Sequence, residues 1–235
     1  FWTMVFQLVN AGWTATVRRQ LENLMSLIPL ALVLMLPIFI LEVVGGGVMF
    51  TWLDPSNATD PLLAHKAGWL NPMFFGLRFI VYAALWGVLA MGLWRASTEQ
   101  DRTGDRWLTS KARKMSGWGL PLFALSIAFV AFDWIMSVDY RFFSTMWGVY
   151  YFASVAQASL CVVVIVLAVL RVTGRLTGAV TMEHFHDLGK LIFGFTVLWA
   201  YITFSQYFLI WYSNIPEESA YYVIRRQNGW ENLAV

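Results

Sequence analysis

The chain has 235 residues, 59% of them hydrophobic and 13% charged, with a formal net charge of +2 and a mean hydropathy of +0.60. A soluble domain carries about 25% charged residues, which all but excludes a water-soluble globule; the same numbers exclude disorder, collagen and a coiled coil. One cysteine, Cys161, leaves no disulfide framework and no multi-cysteine zinc or iron–sulfur site, and the small net charge offers no footprint for nucleic acid.

A spanning helix needs about 20 predominantly apolar residues. The chain opens at Phe1 inside an apolar run that lasts to about Val17, without an initiator Met, as a fragment of a longer chain would. This run counts as a first, truncated helix. Five further runs cover residues 24–50, 72–94, 117–138, 142–170 and 191–214, and neither 142–170 nor 191–216 contains a charge. Barrel strands are only about 10 residues long and alternate strictly. Longer runs satisfy their backbone internally, as helices. The expected fold is all-α, a polytopic transmembrane bundle with about six helices visible in a single domain over residues 1–235. Pro37 with Gly45, Gly46 and Gly47 marks a bent or broken helix end. Residues 51–71 form the longest outer connection and include Asn57-Ala58-Thr59, a match to the short glycosylation acceptor. Pro216, Glu217 and Glu218, ahead of an aromatic run, suit the first turn of one more helix.

Basic residues set the orientation. Arg18 and Arg19 fall in the first connection, Arg95, Arg102, Arg106, Lys111, Arg113 and Lys114 in the third, and Arg171, Arg175 and Lys190 in the fifth. The even connections hold only Lys66, Arg141, Arg225 and Arg226. Odd connections therefore face the cytoplasm. Trp52, Trp69, Trp94, Trp118, Trp147 and Trp211 stand near the expected ends, as an aromatic belt would have them.

Ionisable groups within a membrane are costly and are functional candidates by default. Counting along the helices at about 1.5 Å per residue places Arg78 and Asp133 about 9 Å below the outer surface and Gln206 about 12 Å. Glu42 lies about 27 Å along a helix running outward. These four share the outer part of the bilayer. Arg78 can pair with Asp133 or Glu42; Tyr82 is one turn from Arg78, and Ser126 and Ser137 share a face with Asp133. One reading is a buried ion pair that fixes packing. The other is a site or proton path using at least one of these groups.

A second cluster, EHFHDLGK, lies on the cytoplasmic side with Glu183, His184, His186, Asp187 and Lys190. Imidazole and carboxylate can pass protons near neutral pH. A solvated helix start explains the same residues. Metal is disfavoured, because His184 and His186 point to different helix faces and no third strong ligand follows. His65, His184 and His186 all lie at or beyond the membrane ends, which disfavours a haem within the chain. Ser154, Gln157 and Ser159 read as interhelical hydrogen-bond partners, and Cys161 as a small buried hydrophobe. No residue stands out as catalytic.

Three strings carry a resemblance: AGWTATVRRQLENLM (11–25), FDWIMSVDYRFFSTMWGVYYF (132–152) and HFHDLGKLIFGFTVLWAYITFSQYFLIWYSNIPEESAYY (184–222). They resemble the NrfD-like, or polysulfide-reductase-C, membrane subunits, and most closely one of the two such subunits of bacterial alternative complex III. The resemblance runs from near Phe1 to about Tyr222. It implies a multi-pass subunit of a quinol:electron-acceptor oxidoreductase in the respiratory chain of the bacterial inner membrane, inactive alone. It also implies that the chain binds menaquinol or ubiquinol, or provides a proton path, while haem c and iron–sulfur clusters belong to partners. Those partners are an NrfD-like paralogue, an iron–sulfur subunit and multihaem cytochrome c subunits, with membrane lipid around them and no nucleic acid. Candidates for the path or quinol pocket are Glu42, Arg78, Asp133 and Gln206 outside, and His184, His186, Asp187 and Lys190 inside. The alternative is a structural membrane anchor with neither site nor path.

Overall fold

The computed structural model describes residues 1–227, and every regular element among them is helical. In chain order these are α1 (Trp2–Leu8), α2 (Ala15–Met25), α3 (Ile28–Gly45), α4 (Pro61–Lys66), α5 (Pro72–Thr103), α6 (Arg106–Val130), α7 (Trp147–Val172), α8 (Met182–Ser213) and α9 (Pro216–Ile224). Five helical segments among the described residues are long and apolar enough to span a membrane: Gly12–Gly45, Pro72–Thr103, Arg106–Val138, Trp147–Val172 and Met182–Ser213.

The first apolar run is not one continuous helix to Val17. α1 stops at Leu8, Asn10 takes a left-handed φ of 52°, and a 3-10 turn over Gly12–Thr14 restarts the chain as α2. Asn is one of the few residues that tolerates this conformation. Arg18 and Arg19, expected in a connection, lie on α2. The expected third connection is also mostly helix. α5 runs on to Thr103, Gly104 closes it at φ 70°, and Asp105 caps α6 by accepting the Trp107 N–H at 2.8 Å. Polar residues extend a helix past the bilayer, and hydropathy alone cannot find that end. α9 begins at Pro216, as the tail composition suggests.

α5 with α6 and α7 with α8 form two packed hairpins. At the basic end, α1 and α2 close onto α7 and α8 through Trp2, Phe6, Val17, Leu21, Leu160 and Leu188. The Trp2 indole N–H donates to the Ala156 carbonyl at 3.0 Å, tying α1 to the middle of α7. At the outer end, Phe39, Phe50, Trp52, Phe75, Phe79 and Tyr140 form an aromatic core beneath the 51–71 loop. α6 and α7 approach closely at Gly148, where a Cβ would stand 2.8 Å from the Ala128 Cβ and 3.0 Å from its Cα. Only Leu32 and Phe39 of α3 are buried. Apart from Glu42 the rest of its surface is apolar and largely uncovered, as befits a helix facing hydrocarbon.

Gln157 donates to Thr196 at 2.7 Å and joins α7 to α8, whereas Ser154 and Ser159 bond back to carbonyls of their own helix.

Candidate functional site

Arg78 and Tyr82 sit one turn apart on α5. Asp133 faces them from a π-helical turn, Ala131–Ile135, that ends α6. Arg78 forks onto the carboxylate, Nε to Oδ2 at 2.8 Å and Nη2 to Oδ1 at 3.0 Å. The Tyr82 hydroxyl donates to Oδ2 at 2.7 Å and the Trp69 indole N–H to Oδ1 at 2.8 Å. Arg78 Nη1 donates to the Trp69 carbonyl at 3.1 Å, and its guanidinium carbon lies 4.1 Å from the Trp69 ring centroid and 4.4 Å from that of Phe74. Ser137 donates to the Asp133 carbonyl, which steadies the turn. Ser126 instead accepts the Trp86 indole N–H at 2.8 Å. Asp133 is 1% exposed and Arg78 7%.

A carboxylate offers about four acceptor positions. All four on Asp133 are occupied. Burying two charges costs several kcal/mol each, and only such geometry repays it. Charge-assisted bidentate bonds are the strong kind.

Glu42 does not join this network. Its Oε2 accepts the N–H groups of Met49 and Phe50 at 2.9 and 3.0 Å, closing the chain reversal that Gly46 and Gly47 make with positive φ. Arg78 takes only one of its two possible acids. Gln206 lies on the inward face of α8, 7% exposed, with neither amide atom hydrogen-bonded among the described residues. The inner cluster is a helix start. His184 Nδ1 faces the Thr181 backbone N–H and hydroxyl in a capping box, and Lys190 pairs with Asp187 one turn on, at 3.1 Å. His186 is exposed. Among the described residues no group of three or more His, Cys, Asp or Glu side chains could hold a metal ion.

Two participants are missing from the sequence reading. Trp69 comes from the outer loop, so no helical spacing connects it to Asp133. Glu22 is a buried carboxylate on α2 that sits in a stretch read as a basic connection.

Beside Trp69 lies a cavity of about 210 Å³ lined by Lys66, Phe132, Met136, Tyr140, Phe142 and Phe143, among others. The Lys66 ammonium donates to the Tyr140 carbonyl at 2.6 Å, and burial pushes its pKa below the ordinary lysine value. Asp60 ties the same loop down, accepting from the Tyr140 hydroxyl at 2.7 Å and Arg141 at 3.4 Å.

Five long apolar helices with most of the basic residues gathered at one end are the marks of a polytopic helical membrane protein. No protein-family model and no curated protein matches the chain.

Proposed function

We propose that this chain is an integral-membrane subunit of a bacterial quinol:electron-acceptor oxidoreductase, of the ActF type found in alternative complex III. The observation that carries this reading is the buried Arg78–Asp133–Tyr82 network within the spanning helices, closed from the outer loop by Trp69. Asp133 belongs to a string on which the family resemblance rests, and it stands in a π-helical turn, a feature frequent at functional sites. The aromatic cavity beside Trp69 suits the edge of a quinol ring, with Lys66 as its polar neighbour. Haem c and iron–sulfur chemistry would come from partner subunits, and this chain would hold quinol or guide protons.

The full occupancy of Asp133 favours a second reading, in which the network is an anchor that locks α5 to the end of α6. Purification from native bacterial membranes in mild detergent tests the first reading. It expects co-purification of multihaem cytochrome c, iron–sulfur and NrfD-like partners together with quinol-oxidising activity. Recovery without redox partners, and unchanged quinol oxidation in membranes lacking the chain, would overturn it.

A further inference from the structure

We infer that Glu22 is a proton-exchange group at the basic, inner end of the bundle, loaded from a polar cavity between α2 and α5. The inference rests on the respiratory reading above, which supplies the reason for protons to move.

Glu22 is 1% exposed, yet it is held in a way opposite to Asp133. Oε2 accepts one hydrogen bond, from the Ser97 hydroxyl on α5, while Oε1 has no hydrogen-bond partner among the described residues. Arg18 Nε stands 3.3 Å from Oε1, close enough for charge pairing but out of line for a bond, and Arg19 Nη1 stands 3.5 Å from Oε2. The carboxylate borders a cavity of about 450 Å³ that Arg18, Arg19, Ser97, Gln100 and Asp101 also line. At about 30 Å³ per molecule it has room for several waters, and its walls supply the polar partners that water needs.

Protonation here leaves no buried charge stranded. With Glu22 ionised, the two arginines balance Glu22 and Asp101. With Glu22 neutral, Arg19 keeps its pairing with Asp101, and Arg18, whose side chain is 29% exposed, meets solvent. Among the described residues no other charged group pairs with Glu22. α1 and α7 meet α2 with apolar side chains, Trp2, Phe6, Leu160 and Val163 among them. The unbonded Oε1 is where the proton binds: a proton arriving through the cavity converts carboxylate to carboxylic acid, and its release restores the ion set. Asp133, with four donors in place, has no such vacant position.

The test uses the complex isolated from its native membrane and reconstituted in vesicles. Glu22→Gln keeps the shape and the acceptor for Ser97 but cannot ionise. It should cut proton uptake from the inner side by about a hundredfold, while Glu22→Asp restores a measurable part. Assembly of Glu22→Gln with unchanged proton uptake overturns the inference. If that variant does not assemble, the wild-type complex decides. A water-soluble carbodiimide, which modifies protonated carboxyls that it can reach, should label Glu22 through the cavity and spare Asp133, as peptide mass spectrometry would read. Absence of label on Glu22 across the pH range overturns the inference. Labelling needs no turnover, so its outcome is separate from whether the complex oxidises quinol.

Discussion

The indole of Trp69 touches both halves of one ion pair: its N–H donates to Asp133 at 2.8 Å while its ring lies 4.1 Å from the guanidinium carbon of Arg78. A residue of the outer loop therefore closes a charge pair that two spanning helices open. Trp69→Phe keeps the aromatic face and loses only the donor, and a hydrogen bond to a charged group is worth about 1.5–3 kcal/mol. The expected result is a lower melting temperature for the detergent-solubilised protein, with a further drop in Trp69→Ala as the cation–π contact goes. Equal losses in the two variants would contradict this division.

Removing one partner of a buried pair costs about 3–5 kcal/mol, because the other charge is left uncompensated. Arg78→Met and Asp133→Asn should each reduce the yield of folded protein. Asn cannot accept at its amide nitrogen, where two donors now point. The double variant Arg78→Met with Asp133→Leu should recover much of the yield. Normal yield combined with slowed quinol oxidation in Asp133→Asn would instead assign the carboxylate to a proton path.

The outer loop should loosen in acid. The hydrogen bond from Tyr140 and that from the Leu62 N–H, with Arg141 nearby, hold the Asp60 carboxyl below its ordinary value. A depressed acid stabilises the folded loop above the unfolded pKa of about 3.9, and that contribution is lost as pH falls through the lower folded value. Hydrogen exchange in 54–66 should therefore rise relative to the spanning helices on acidification. Asp60→Asn should show the loosened loop at neutral pH and little further change in acid.

Gly148 tests the helix packing. A Cβ there would meet the Cα and Cβ of Ala128, which cannot swing aside as a long side chain can. Overpacking typically costs about 1–3 kcal/mol. Gly148→Leu should lower thermal stability more than Gly76→Leu, since a Cβ on Gly76 meets nothing within 4 Å.

The Arg78–Asp133 pair is legible from sequence because charges are rare in apolar runs and helical rise gives both the same depth. Trp69 is not, since its link to Asp133 spans 64 residues of chain through a loop. Glu22 escapes notice for a different reason: beside Arg18 and Arg19 it reads as an exposed i,i+4 partner, and only the docking of α5 buries it. His184 reads as a proton carrier, but it occupies the place that Glu or Gln takes in a capping box. The first apolar run misleads because Asn10, Ala11 and Gly12 break the helix without breaking the hydropathy.

The π-helical turn of Ala131–Ile135 makes the charge pair sensitive to chain length as well as to residue identity. A π turn carries one residue more than the α-helical path would use. Each residue in an α-helix turns the chain by about 100°. Deleting Ala131 would let the turn relax to regular α-helix and swing Asp133 relative to either α6 or the outer turn that follows. A loss of one codon, leaving every charge in the sequence intact, would then separate Asp133 from Arg78 as effectively as replacing either of them.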